Sequence, residues 1–142
     1  MKCVMLFVLV MGITTPALAD DKPCQTNYVQ EGSFLAGRRF SSWDVVPAVS
    51  VEQAYRRIYA EGVKSGLTVA SADEDIGVIS FAQANAGVTN TGAQVSVPWN
   101  VTLEDADGGV KVTVVKTTPG GYATSEDFQI TSMCAVIDAA RS

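Results

Sequence analysis

Six carboxylates gather in two short stretches, Asp73, Glu74 and Asp75 in one and Glu104, Asp105 and Asp107 in the other. If the strands around them form a meander, alternate turns lie at the same end of the sheet, and the two groups become neighbours. Flexible oxygen ligands of this kind suit calcium, and a patch of one sign steers a basic partner toward it. The ordinary alternative is that acidic residues favour turns and keep a protein soluble. A partner surface is therefore the functional reading of these residues, and no metal ligand is assigned.

Other chemistry is bounded by what the chain lacks. It has no histidine, so Ser-His-Asp and Cys-His catalysis and histidine-ligated zinc are excluded. Gly108-Gly109 and Gly120-Gly121 are not followed by the lysine and helix start of a phosphate-binding loop. No catalytic residue and no cofactor are expected, and an enzyme ranks third among the functions considered. Tyr55, Tyr59 and Trp99 could line a ligand pocket between a helix and the sheet, although Trp99 fits an apolar strand face and reads first as core. Trp43 is a further aromatic platform. Arg38-Arg39 and Arg56-Arg57 read as solvated faces. Asn100-Val101-Thr102 matches a glycosylation sequon, which matters only in a eukaryotic secretory pathway.

The N-terminus reads as an export signal. Lys2 is followed by an apolar run over residues 4–13, too short to cross a bilayer as a helix. Pro16 and the small residues of Ala17-Leu18-Ala19 then form a cleavage site before Asp20. Residues 1–19 are thus expected to be removed and the mature protein to be periplasmic or secreted. Removal takes away Cys3 and leaves Cys24 and Cys134, an even number in an oxidising compartment, which predicts one bridge between the two ends of the domain. The 142 residues carry 15 acidic and 10 basic side chains, a net charge of −5. Loss of Lys2 with the signal moves this from −5 to −6. Such a balance argues against nucleic acid, whose phosphates require a clustered positive surface, and no membrane span is expected after cleavage.

The elements that must position these residues follow from periodicity. Residues 20–37 read as an extended lead-in pinned by Cys24, and residues 38–142 as a single domain. Phe40, Trp43, Val45 and Val46 predict a strand ended by Pro47. Ser50 with Gln53 has capping-box spacing. Val51, Ala54, Tyr55, Ile58, Tyr59 and Val63 then recur at helical intervals, and Gly66 suits the left-handed stop. The period then changes to two, with strands over 67–70 and 76–83. A loop over 86–93 leads into Val95, Val97, Trp99, Val101 and Leu103 on one face of the next strand, the signature of a sheet with one wet side. Asp107-Gly108-Gly109 turns the chain into a strand over 110–117. After Pro119-Gly120-Gly121, Thr124 or Ser125 caps a last helix whose stripe is Ile130, Met133, Cys134 and Ile137. The loops at 86–93 and 119–122 share the end opposite the acids, with Asn90, Thr91 and Tyr122 as candidate contacts. Pro98 cannot donate to a ladder, so its strand needs an edge or an irregularity there. The expected fold is α+β, one twisted and mainly antiparallel sheet of about five strands with two helices on one face.

The run Val51-Glu52-Gln53-Ala54-Tyr55, then Gly66-Leu67, then Asp75-Ile76-Gly77-Val78-Ile79 resembles the small helix-on-sheet (β-α-β-β-β) domains of bacterial envelope proteins. In those domains a helix leads to a strand, an acidic turn with glycine, and a strand beginning G-x-I. The resemblance covers about residues 40–117 and implies binding or assembly more than catalysis. The leading expectation is a non-catalytic exported protein with a macromolecular partner, as in an envelope-assembly factor or a toxin inhibitor, where a basic enzyme would meet the acidic end. The second is a small-ligand carrier with its pocket between helix and sheet.

Overall fold

The computed structural model describes residues 21–141; the expected signal segment and cleavage site, with Cys3, lie outside the described residues. A helical turn α1 (Pro23–Thr26) precedes strands β1 (Val29–Ser33) and β2 (Gly37–Pro47), followed by helix α2 (Val51–Lys64). Four strands come next, β3 (Thr68–Asp73), β4 (Val78–Val88), β5 (Gln94–Ala106) and β6 (Gly109–Thr118), and helix α3 (Glu126–Ala139) ends the chain. All neighbouring strands run antiparallel in one sheet of six, ordered β1-β2-β6-β5-β4-β3.

The fold is thus α+β with one antiparallel sheet, but with six strands and three helices where about five and two were expected. The additions fall within residues 20–37. Helix α1 buries only Cys24, and β1 carries no period-two apolar signal because it is an edge strand with every residue exposed. Its ladder depends on the backbone of β2, from Val29 opposite Ser41 to Ser33 opposite Gly37, and backbone hydrogen bonding is indifferent to side-chain type.

Helix α2 begins as its sequence requires. Ser50 Oγ accepts from the Gln53 amide at 3.1 Å, and the Ser50 amide donates to Gln53 Oε1 at 3.2 Å. Gly66, at φ +86°, makes the left-handed stop. The buried face is Ala54, Tyr55, Ile58 and Gly62, whereas Tyr59 and Val63 turn half out to solvent. Gly62 sets how close the helix lies to the sheet: a Cβ there would stand 2.4 Å from the Phe81 ring. In α3, Ser125 supplies the cap, accepting from the Phe128 amide at 3.2 Å.

Both long helices cover the same sheet face. Phe40 and Val46 of β2, Ile79 and Phe81 of β4, alternate residues of β5 from Val95 to Leu103, and Val110, Val112 and Val114 of β6 point into that core. Trp43 falls on the other face, where Lys111 Nζ lies 4.6 Å from its ring centroid. The strain that Pro98 poses is relieved locally. The β5–β6 ladder ends at Trp99 opposite Lys116, so at Pro98 the strand keeps only its β4 neighbour, Ala82. A disulfide joins Cys24 to Cys134 across 110 residues, with Cα atoms 5.7 Å apart, and so ties α1 to α3.

Candidate functional site

The two acidic stretches do lie at one end of the sheet. The Leu103 amide donates to the Gly77 carbonyl at 2.8 Å, which continues the β4–β5 register past Val78 and brings the first turn against the segment leading to Glu104. Several of the acids are already engaged. Asp73 Oδ1 accepts from the amides of Asp75 (3.1 Å) and Ile76 (3.3 Å), which shapes the turn. Glu74 lies 3.6 Å from Arg56, itself paired with Glu52 at 2.7 Å, and Glu104 stands opposite Lys111 across the β5–β6 pair. Among the described residues, no group of three or more His, Cys, Asp or Glu side chains is placed to hold a metal ion.

The aromatic trio separates into two places. Tyr55 and Tyr59 stack on each other with ring centroids 6.3 Å apart. Burial pushes the Tyr55 phenol above its ordinary range, and the nearby charges of Glu74 and Asp73, with Tyr59, push it further, so this pair belongs to the acidic end. Trp99 instead faces a cleft of about 230 Å³ where the end of α2, the outer turns of α3 and the sheet meet. Leu67, Gln83, Phe128, Ser132 and Val136 complete its main walls, and neither tyrosine lines it. Trp99 is 5 % exposed and is both core and wall; its indole Nε1 donates to Gln83 Oε1 at 3.3 Å. A larger groove of about 500 Å³ runs along the seam between α2 and α3, but its lining is Arg57, Ala60, Glu61, Lys64, Ala135, Asp138 and Ala139, without an aromatic wall.

Behind the wall of the smaller cleft lies Lys116, only 1 % exposed. Its Nζ stands 3.8 Å from the Trp99 ring centroid and 5.3 Å from that of Phe128, and donates to Ser132 Oγ at 3.1 Å. The Ser132 hydroxyl donates onward to the Gln129 carbonyl, also at 3.1 Å. Its proton is thereby committed, and its oxygen is left to accept from the amine. Two of the three ammonium donors have no oxygen partner among the described residues, and no carboxylate there pairs with Lys116. Burial alone pulls its pKa from 10.5 down to about 7, the direction expected when a cation loses water without gaining an anion.

Lys116 was not singled out from the sequence, although strand parity carries the signal. Val110, Val112 and Val114 point inward, so residue 116 on the same strand must do so too. A lysine at the polar end of a strand is ordinarily taken as its solvent-facing finish, which hides the placement.

At the opposite end, the loops at 86–93 and 119–122 meet as expected, but they bind each other. Thr89 bridges to Tyr122, the Asn90 amide donates to the Gly121 carbonyl at 2.8 Å, and Tyr122 Oη donates to the Ala86 carbonyl at 2.9 Å. Tyr122 is spent on packing.

No protein-family model matches the chain, and no curated protein matches it in sequence. Among solved structures, the crystal structure of Ara h 8.0201 is similar, with a TM-score of 0.52 at 14 % identity over 75 % of this chain and 96 % of that one. At that identity the likeness is one of fold: helices laid on one face of an antiparallel sheet.

Proposed function

We propose that this protein is an exported, non-catalytic carrier of a small apolar ligand, held in the cleft beside Trp99. The observation that carries the reading is the cleft itself. It joins apolar and aromatic walls (Leu67, Trp99, Phe128, Val136) to a few fixed polar groups (Gln83, Ser132), the usual composition of a small-molecule site. Its size, about 230 Å³, lies below the roughly 300–1,000 Å³ of drug-sized sites and calls for a compact ligand. The export part rests on residues 1–19 as a signal and on the Cys24–Cys134 bridge, which suits an oxidising compartment. The resemblance of residues 51–79 to envelope domains points the same way.

A macromolecular partner at the acidic end is the second reading. Asp75, Asp105 and Asp107 support it, since none of them has an ion pair among the described residues. It has less behind it than the cleft, because Asp73 and Glu74 already serve the fold.

Titration of the isotopically labelled protein with 1-octanol, followed by amide NMR, tests the carrier reading. Shifts centred on Leu67, Gln83, Trp99 and Val136 are expected, removed by the filling substitution Ala135→Phe, since Ala135 lines this cleft as well as the α2–α3 groove. No shift near saturation of the alcohol, or shifts confined to other surfaces, would refute it.

A further inference from the structure

We infer that the ligand bears a carboxylate, and that Lys116 and the wall formed by Trp99, Phe128 and Ser132 are its anchor. This rests on the carrier reading and adds the chemical class of the ligand.

The argument begins from an imbalance in the apolar interior. A buried ammonium is ordinarily matched by a carboxylate, because loss of hydration is costly unless charge and hydrogen bonds replace it. Lys116 has instead one hydroxyl acceptor and one aromatic face, with donors left over. The Trp99 ring attracts the cation electrostatically but accepts no conventional hydrogen bond. What the site lacks is an anion with two oxygens.

The cleft lies on the side from which such a group could arrive. Trp99, Phe128 and Ser132, the three side chains around Nζ, all line it. Phe128 is the movable part of that wall, since it is 48 % exposed and sits in the first turn of α3. Rotation of its ring admits a head group to Nζ while the apolar body stays against Leu67, Trp99 and Val136. Glu61 is the one titratable residue lining the cleft; it is exposed on α2, accepts from Ser65 Oγ at 3.3 Å, and disfavours a second negative charge at the rim. The geometry therefore selects a monoanion with its charge at one end.

Octanoate and 1-octanol separate this inference from the reading beneath it, because they share a chain and differ in the head. Isothermal titration at pH 6 is expected to show octanoate binding at least about tenfold more tightly than the alcohol, as a charge-assisted hydrogen bond would give. Octanoate affinity should then fall by about tenfold per pH unit above pH 7, because the ammonium must be rebuilt before it can pair. Octanol affinity should stay flat. Lys116→Met should erase the preference and keep octanol binding, whereas Lys116→Arg should keep the preference and lose the pH dependence, since guanidinium does not titrate in this range. Equal binding of acid and alcohol, or a preference that survives Lys116→Met, would overturn the carboxylate assignment alone. Failure of both compounds to bind would overturn the carrier reading with it.

Discussion

Replacing Lys116 by methionine should make the empty protein more stable at neutral pH, and the gain should shrink as pH rises. In the unfolded chain the amine holds its proton until about pH 10.5, whereas in the folded protein it releases it near 7. Below pH 7 both states are charged and the folded state bears the full penalty of a buried cation. Between 7 and 10.5 the unfolded state binds more protons, so stability of the wild type rises with pH. The gap of 3.5 pH units corresponds to about 4–5 kcal/mol over the whole window, at roughly 1.36 kcal/mol per unit. Between pH 7 and pH 9 alone the wild type should gain about 2 kcal/mol on the variant. Tyr28 and Tyr55, whose phenols are also raised, chiefly by burial, titrate in both proteins and cancel in the difference. Below pH 7 the gain is offset by the Ser132 hydrogen bond and the cation–π contact that the variant forfeits, about 1–2 kcal/mol together, and the cation–π part disappears as the folded amine loses its proton. Urea unfolding of both proteins at pH 6, 7, 8 and 9 measures the difference directly. A difference constant across that range, or one that widens in favour of the variant, would refute the placement of Lys116 in a site without an anion.

Three further outcomes follow from other parts of the structure. Gly62→Ala should destabilise by about 1–3 kcal/mol, because the new methyl group meets the buried Phe81 ring and α2 must lift from the sheet; thermal melting checks this. Reducing the Cys24–Cys134 bridge releases a loop of 110 residues and should cost about 2–5 kcal/mol, read from denaturant midpoints with and without reductant. The double reversal Asp75→Lys with Asp105→Lys should leave octanoate affinity within about twofold at physiological salt, since neither residue lines the cleft and exposed charges are screened. A larger change would link the acidic end to the ligand site.

What the sequence determined by itself was local. Ser50, Gln53 and Gly66 bracket α2 because capping and left-handed stops are properties of a few adjacent residues. The alternation from Val95 to Leu103 shows which face of β5 is buried, because side-chain direction in a strand has period two. The pairing of Cys24 with Cys134 is the long-range exception, and it followed from counting the cysteines left if residues 1–19 are removed as expected. Strand β1 stayed hidden, because an edge strand is held by its neighbour's backbone and its side chains need show no pattern.

The site was decided by tertiary structure. Tyr55 and Trp99 are both buried aromatics on facing elements, yet one turns to the acidic end and the other to the cleft, an outcome set by where α2 crosses the sheet. Strand parity turns Lys116 inward, but only the folding of the next element, α3, back over the sheet brings Phe128 and Ser132 against it and takes its water away. Burial of a charge depends on every element packed around it, and no stretch of neighbouring residues carries that information.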